Sequence, residues 1–231
     1  MRPLFFMHVL YEDNHIIIVN KAPGEIVQGD KTGDTPLLEQ VKLYIKEKYQ
    51  KPGNVFLGVV HRLDRPVSGV VVFARTGKAL ARLNEMFRTG SVKKTYHAIV
   101  ANAPQQEAAT LEHWITRNER QNKAYAHPRE VKDSKRAVLD YRTRGHSERY
   151  ARLEVRLHTG RHHQIRCQLS TLGMPIRGDL KYGAKRSNPD GSISLLSHHV
   201  EFIHPVSKQK IVLDSPLPDD KIWHNIAFFD K

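Results

Sequence analysis

At 231 residues, with 37 lysines and arginines against 24 acidic residues, the chain carries a formal charge of +13. That excess points to a polyanionic partner without separating RNA from DNA or a membrane surface. The one cysteine, Cys167, excludes an intrachain disulfide. No apolar run nears the ~18 residues of a membrane span, so a soluble cytoplasmic protein is expected.

Two short strands open the chain, Phe5 to Leu10 and His15 to Asn20, around the turn Glu12-Asp13-Asn14. Lys21-Ala22-Pro23-Gly24 reads as a loop, because Pro-Gly is a turn signal. Thr35-Pro36 predicts an N-cap followed by proline at the first helical position. Leu37, Leu38, Val41, Tyr44 and Ile45 then recur at helical spacing, and the helix ends before Lys51-Pro52-Gly53.

Next come His61-Arg62-Leu63-Asp64-Arg65-Pro66-Val67-Ser68-Gly69 and the apolar run Val70-Val71-Val72-Phe73-Ala74. The run is short and β-branched, which predicts a buried strand. Asp64, between two arginines in a turn, stays ionised, since nearby positive charge favours the charged form. For an arbitrary Arg-x-Asp, a structural ion pair is the commoner explanation. A second helix follows Thr76-Gly77, with Leu80, Leu83 and Phe87 on one side and a stop at Gly90.

Ser91 to Val100 predicts a strand containing Lys94-Thr95-Tyr96, and residues 102–109 are the most linker-like segment. Strands are expected at Leu111 to Thr116, Ala137 to Tyr141 and Tyr150 to Leu157. Arg117, Arg120, Lys123, Arg129, Lys132, Lys135 and Arg136 are placed in the loops between them. Cationic loops interleaved with Trp114, Tyr125 and Tyr141 suit nucleic acid, because arginines position phosphates while aromatic faces stack on bases. The next block is Thr159-Gly160-Arg161-His162-His163-Gln164-Ile165-Arg166, and Gly178-Asp179 and Tyr182-Gly183 follow it. His158, His162, His163 and Cys167 do not predict a zinc site, since no second cysteine or carboxylate cluster completes four ligands. A last strand is expected from Ile193 to Pro205.

The 61–75 segment resembles the signature of RluA-type RNA pseudouridine synthases, HRLD-x-x-(T/S)-S-G followed by an apolar strand and Ala-Arg/Lys. Val67 stands where threonine is usual. Lys21 to Gly24 is similar to the family's K-P-x-G box, Lys94-Thr95-Tyr96 to its K-x-Y, and Thr159 to Arg166 to its T-G-R-x-H-Q-I-R. The strand at 193–205 resembles L-H-A-x-x-L-x-F-x-H-P, with Leu196 and Ser197 replacing His and Ala. The ordered blocks extend over most of the chain.

The resemblance implies an α+β fold: a largely antiparallel, twisted central sheet flanked by helices, with the active-site cleft across it. One catalytic domain over residues 1–231 is expected, without an N-terminal S4-type RNA-binding domain. The family's catalytic groups fall on Asp64, Tyr96 and Arg166, with Arg166 as counter-ion of the aspartate. Arg62, His61, Arg161, Gln164 and Leu195 fall on positions that handle the RNA. Arg62 helps extrude the target base, and Leu195 packs on the flipped uracil. The implied substrate is a uridine of ribosomal or transfer RNA, and the enzyme is expected to act as a monomer.

Pseudouridine formation breaks the N1–C1′ bond, turns the base and rejoins it through C5. It needs no redox step, and neither a Walker loop nor G-x-G-x-x-G occurs, so no cofactor or metal is expected. A carboxylate can act by covalent attack or by abstracting a ribose proton, and the sequence leaves both open. Two rival readings remain. One is a non-catalytic RNA-binding protein, against which Asp64, Tyr96 and Arg166 argue. The other is a glycoside or nucleoside hydrolase; a glycosidase would show two suitably spaced carboxylates. If the basic surface holds RNA, the logarithm of affinity should fall linearly and steeply with the logarithm of salt concentration. A flat response from low to physiological salt would remove that surface from the reading.

Overall fold

A computed structural model describes residues 7–30 and 32–226. In chain order its elements begin with β1 (His8–Glu12), β2 (Ile16–Lys21), α1 (Leu37–Lys48), β3 (Gly58–Val59), β4 (Ser68–Ala74) and α2 (Gly77–Arg88). Then come β5 (Lys93–Ala101), β6 (Ala108–Asn118), β7 (Lys123–His127), β8 (Lys135–His146) and β9 (Tyr150–Leu157). The chain continues with α3 (Gln164–Thr171), a 3-10 turn (Leu180–Tyr182), β10 (Leu195–Ile203), β11 (Lys210–Asp214) and α4 (Lys221–Asn225). The class is α+β, and the strand pairs described below are antiparallel.

The chain forms two compact units, Met1–Lys93 with His199–Ser215, and Lys94–His198 with Pro216–Lys231. In the first unit, β2 pairs with β1 on one side and β4 on the other. Ile16 to Val19 and Val71 to Ala74 are wholly buried, as continuous β-branched runs covered on both faces should be. Helix α2 lays Ala79 and Leu83 on this layer, together with Val200, Phe202 and Ile211 from β10 and β11. Thr76 caps α2 by accepting a hydrogen bond from the Ala79 amide at 3.2 Å. Asp13 makes the first turn by accepting from the amides of His15 at 2.7 Å and Ile16 at 2.9 Å.

In the second unit the strands follow the order β5-β9-β8-β6-β7. Helix α3 covers them, burying every residue from Gln164 to Leu169. Ile115, Ala124, Ala137, Cys167 and Tyr182 pack together beneath it. Burial in this apolar patch pushes the Cys167 thiol up to about 12, so the thiol is a packing group. Ile99, Leu196, Trp223 and Ile226 form a further cluster.

Several expectations change. The first strand begins at His8 and runs to Glu12; Phe5 and Phe6 lie outside the described residues. The cap of α1 is Pro36, not Thr35. Its first two amides, Leu37 and Leu38, donate to the carbonyls of Ile26 and Val27 at 2.7 and 3.2 Å, so no side-chain cap is needed. Strand β6 starts at Ala108, inside the segment read as a linker. Lys123 and Tyr125 belong to strand β7, and Arg117, Lys135 and Arg136 to β6 and β8, rather than to loops. Tyr141 is a core ring. Strand β11 and helix α4 had no counterpart in the sequence reading. No helix among the described residues is long and apolar enough to cross a membrane.

Gly178 precedes the 3-10 turn at φ +88°, and a Cβ there would meet the Ser192 carbonyl at 2.7 Å and the Asn188 side chain at 2.8 Å. Both conformation and space require glycine. Gly178→Ala should therefore cost about 2 kcal/mol or more, from left-handed strain and the clash together. Denaturant unfolding checks this, and a change under about 0.5 kcal/mol, the range of an ordinary surface substitution, would contradict it.

Candidate active site

The Asp64 turn lies in the first unit. The Val67 amide closes it on the Asp64 carbonyl at 3.0 Å, with Leu63 and Val67 buried on either side. Asp64 itself is half-buried, and Arg62 is exposed. His61 Nε2 accepts the Val72 amide at 3.0 Å, which puts the ring proton on Nδ1, and the ring stacks on Phe87 at 4.7 Å. The His61 ring thus ties the segment before the turn to β4. Arg65 reaches outward to Thr32 and Asp34.

Beneath the turn lies Lys21, wholly buried at the end of β2. Its ammonium donates to the carbonyls of Val67 at 2.7 Å, Ala22 at 2.9 Å and Arg65 at 3.1 Å. Three donors meet three acceptors, so the buried charge is fully hydrogen-bonded. Gly24, at φ +87°, donates its amide to the same Arg65 carbonyl at 2.8 Å. The Lys-Ala-Pro-Gly loop is therefore a clasp on the Asp64 turn. Burial pulls the Lys21 ammonium down to about 8, against the opposing attraction of Glu25 and Asp64.

The other sequence-predicted residues lie in the second unit. Tyr96 is buried on β5 opposite Val155 of β9. Burial also pulls the ammonium of nearby Lys94 below its ordinary value. Leu195 is buried at the start of β10. Gln164, at the first turn of α3, accepts from the Thr159 hydroxyl at 2.8 Å and the Arg161 amide at 3.0 Å, and donates to the Val138 carbonyl at 3.0 Å. It braces the Thr-Gly-Arg loop against β8. Arg161 is exposed and donates to the Arg136 carbonyl at 2.9 Å.

Arg166 is buried and forms a two-bond pair with Asp179, Nε to Oδ2 at 2.7 Å and Nη2 to Oδ1 at 2.9 Å. The planar fork matches the carboxylate and fixes the guanidinium plane. His163 occupies the N-cap of α3 at φ 52°, and its Nδ1 lies 2.9 Å from the Tyr182 hydroxyl. Burial first, then Arg166 and His162, push the His163 imidazolium down to about 2, so the ring is neutral.

Lys21, Asp179 and Tyr182 stood within the family-like motifs without a role. One signal for Lys21 was present: it ends a β-branched run buried on both faces, where an ammonium must find acceptors. Asp179 and Tyr182 act over 13 and 19 residues of chain, and no local pattern announces such pairs.

Residues 15–171 match the RNA pseudouridylate synthase family. Ribosomal large subunit pseudouridine synthase D of Xanthomonas campestris pv. campestris is 34% identical over 228 residues, covering 93% of this chain and 67% of the relative. The uncharacterized RNA pseudouridine synthase YhcT of Bacillus subtilis is 32% identical over 222 residues, covering 93% and 70%. Among solved structures, human RNA pseudouridylate synthase domain containing 4 superposes with a TM-score of 0.77 at 23% identity, covering 94% of this chain and 90% of the other, a likeness of fold. The protein is an isomerase that acts on RNA. The chain belongs to the RNA pseudouridylate synthase family.

The Lys21 clasp predicts a pH signature. An unfolded lysine holds its proton to about pH 10.4, whereas the folded one releases it near 8. Between those values the unfolded chain binds more protons, so this group makes stability rise with pH there, and its charge opposes folding in full below pH 8. The unfolding free energy of the wild type relative to Lys21→Met should therefore climb between pH 8 and 10. A pH-independent difference would mean that the ammonium is not buried as described.

Proposed function

We propose that this enzyme converts specific uridines of ribosomal RNA to pseudouridine with Asp64 as its catalytic carboxylate. It acts as a monomer in the cytoplasm, without metal or cofactor, and the whole chain serves as one catalytic domain. The observation that carries the reading is the Asp64 turn, held from below by two hydrogen bonds from one buried ammonium, to the carbonyls of Arg65 and Val67. A turn held that firmly keeps a carboxylate in place while a nucleotide is moved against it. The RNA class rests on relatives named as ribosomal large subunit pseudouridine synthases.

In this reading the Asp64 carboxylate either bonds to C1′ as the N1–C1′ bond breaks, or takes a ribose proton as that bond breaks. The uracil turns and C5 bonds to C1′ as the bond to Asp64 breaks or as Asp64 returns the ribose proton; C5 then loses its proton and N1 gains one, so the product is an isomer of the substrate. Tyr96 stacks on the uracil and helps remove that proton. Arg166, its guanidinium plane set by Asp179, supplies positive charge for the carboxylate. Arg62 fills the gap in the RNA stack and offsets an extrusion cost of roughly a few kcal/mol. Leu195 packs on the uracil, and His61, Arg161 and Gln164 shape and hold the segments that meet the RNA.

Asp64→Asn conserves size while removing the negative charge and the nucleophilic oxygen. Pseudouridine formation should be lost almost completely, RNA affinity should stay within about tenfold of wild type, and unfolding should remain cooperative. Turnover retained by Asp64→Asn would refute the assignment. Mapping pseudouridine in total RNA with and without the protein identifies the substrate, and sites confined to transfer RNA would overturn the ribosomal reading.

A further inference from the structure

The β6–β7 hairpin of the second unit carries an open groove of about 570 Å³ lined by Thr116, Arg117, Asn118, Glu119, Arg120 and Tyr125. Arg117, Arg120 and Tyr125 are exposed. Two guanidinium groups beside an exposed ring are the equipment of a single-stranded RNA contact. The Lys123 ammonium stands 5.5 Å from the Tyr125 ring and 5.3 Å from the ring of Tyr182. The groove is thus equipped to hold the RNA substrate of the function proposed above, and the inference below rests on that reading.

The back of the hairpin is fastened to the turn at 180–182. The Ala124 amide donates to the Tyr182 hydroxyl at 2.7 Å, and the Lys181 ammonium donates to the Asn122 carbonyl at 3.0 Å. The same turn holds α3. Ser170 donates to the Tyr182 carbonyl at 2.6 Å, the Arg166 guanidinium lies 5.0 Å from the Tyr182 ring, and Asp179, which precedes the turn, pairs with Arg166. Because the Tyr182 oxygen accepts from Ala124, its one proton points to His163 Nδ1 at 2.9 Å. That hydrogen bond fixes the neutral His163 ring with its proton on Nε2. One buried hydroxyl thus touches the hairpin backbone on one side and the N-cap of α3 on the other.

We propose that Tyr182 is a positioning residue whose hydroxyl couples the RNA-holding β6–β7 hairpin to His163 at the N-cap of α3. An RNA strand in the hairpin groove shifts β7, the Ala124 amide shifts with it, and the hydroxyl passes that shift to the α3 N-cap. Tyr182→Phe separates this role from packing, since the ring stays and only the hydroxyl goes.

The test is a kinetic cycle on an RNA substrate using wild type, Tyr182→Phe, Arg120→Ala and the double variant. Tyr182→Phe should lower kcat about tenfold while KM changes by less than about twofold, and its loss should shrink when Arg120 is also absent. A ring that only packs would lower the melting temperature, leave kcat alone and give additive effects, and that result overturns the proposal. The affinity of Arg120→Ala separates the two levels. Weakened RNA binding with an additive cycle removes the coupling alone, whereas unchanged binding removes the hairpin from the RNA surface and the coupling with it. Should Tyr182→Phe not fold, the ¹⁵N signals of the His163 ring in wild type decide. They should show the Nε2–H tautomer and move at Nδ1 when RNA binds, and an Nδ1 signal indifferent to RNA overturns the proposal.

Discussion

One ammonium hydrogen-bonded to three carbonyls holds the Asp64 turn in place. Lys21 is wholly buried, and a buried unpaired charge would cost several kcal/mol. Its three donors repay that cost by meeting the carbonyls of Ala22, Arg65 and Val67. Two of those carbonyls, of Arg65 and Val67, belong to the turn that carries Asp64, so the clasp and the turn stand or fall together. Asp64 also draws on the same positive charge, one of the attractions that keep Lys21 protonated below about pH 8. An anion and its support are thus built from two segments more than forty residues apart in sequence.

The second unit solves the same problem with opposite charges. Arg166 is held by Asp179, both almost fully buried. Removing one partner of such a pair is more damaging than replacing both, because the survivor keeps its desolvation cost. Around that pair, Gln164 binds the Thr-Gly-Arg loop to β8, and Tyr182 binds the α3 N-cap to β7. In both units the residues of the family motifs divide into those that face outward and those that hold them. Arg62 and Arg161 are exposed, whereas Lys21, Gln164 and Asp179 are buried and hydrogen-bonded.

The elements with one dominant local cause were legible in the sequence. Strand β9 has the bounds expected for it, β4 is the buried strand its β-branched run predicts, and α2 follows Thr76 as expected. Where the cause was distant, the sequence misled. The start of α1 is set by the carbonyls of Ile26 and Val27, which no capping rule foresees. Strand β7 is polar and only five residues long, and its edge is defined by pairing with β6 rather than by apolar periodicity. Tyr141, read among RNA-stacking rings, is core because β8 turns it inward. At the site, the motif positions could be read because the chemistry restricts which side chains serve. The partners that orient them could not, since Lys21 reaches Val67 across 46 positions and His163 reaches Tyr182 across 19.

The same distinction changes the meaning of the charge excess. A net +13 suggests a surface uniformly ready for phosphate, yet a share of the cations is structural. Lys21, Arg152 and Arg166 are buried, and Arg152 spends its guanidinium on His97 Nδ1 and the Trp223 carbonyl. Arg136 is forked onto Glu112, and Arg144 onto Glu154. Such groups release no counterions when RNA arrives, because their charges are already compensated or sealed from solvent. Cations available to a phosphate backbone include Arg120, Arg129, Lys132 and Lys135, all exposed and all on or near the β6–β8 strands. A polyanion drawn there meets the hairpin whose backbone is tied, through one tyrosine hydroxyl, to the helix that carries Arg166.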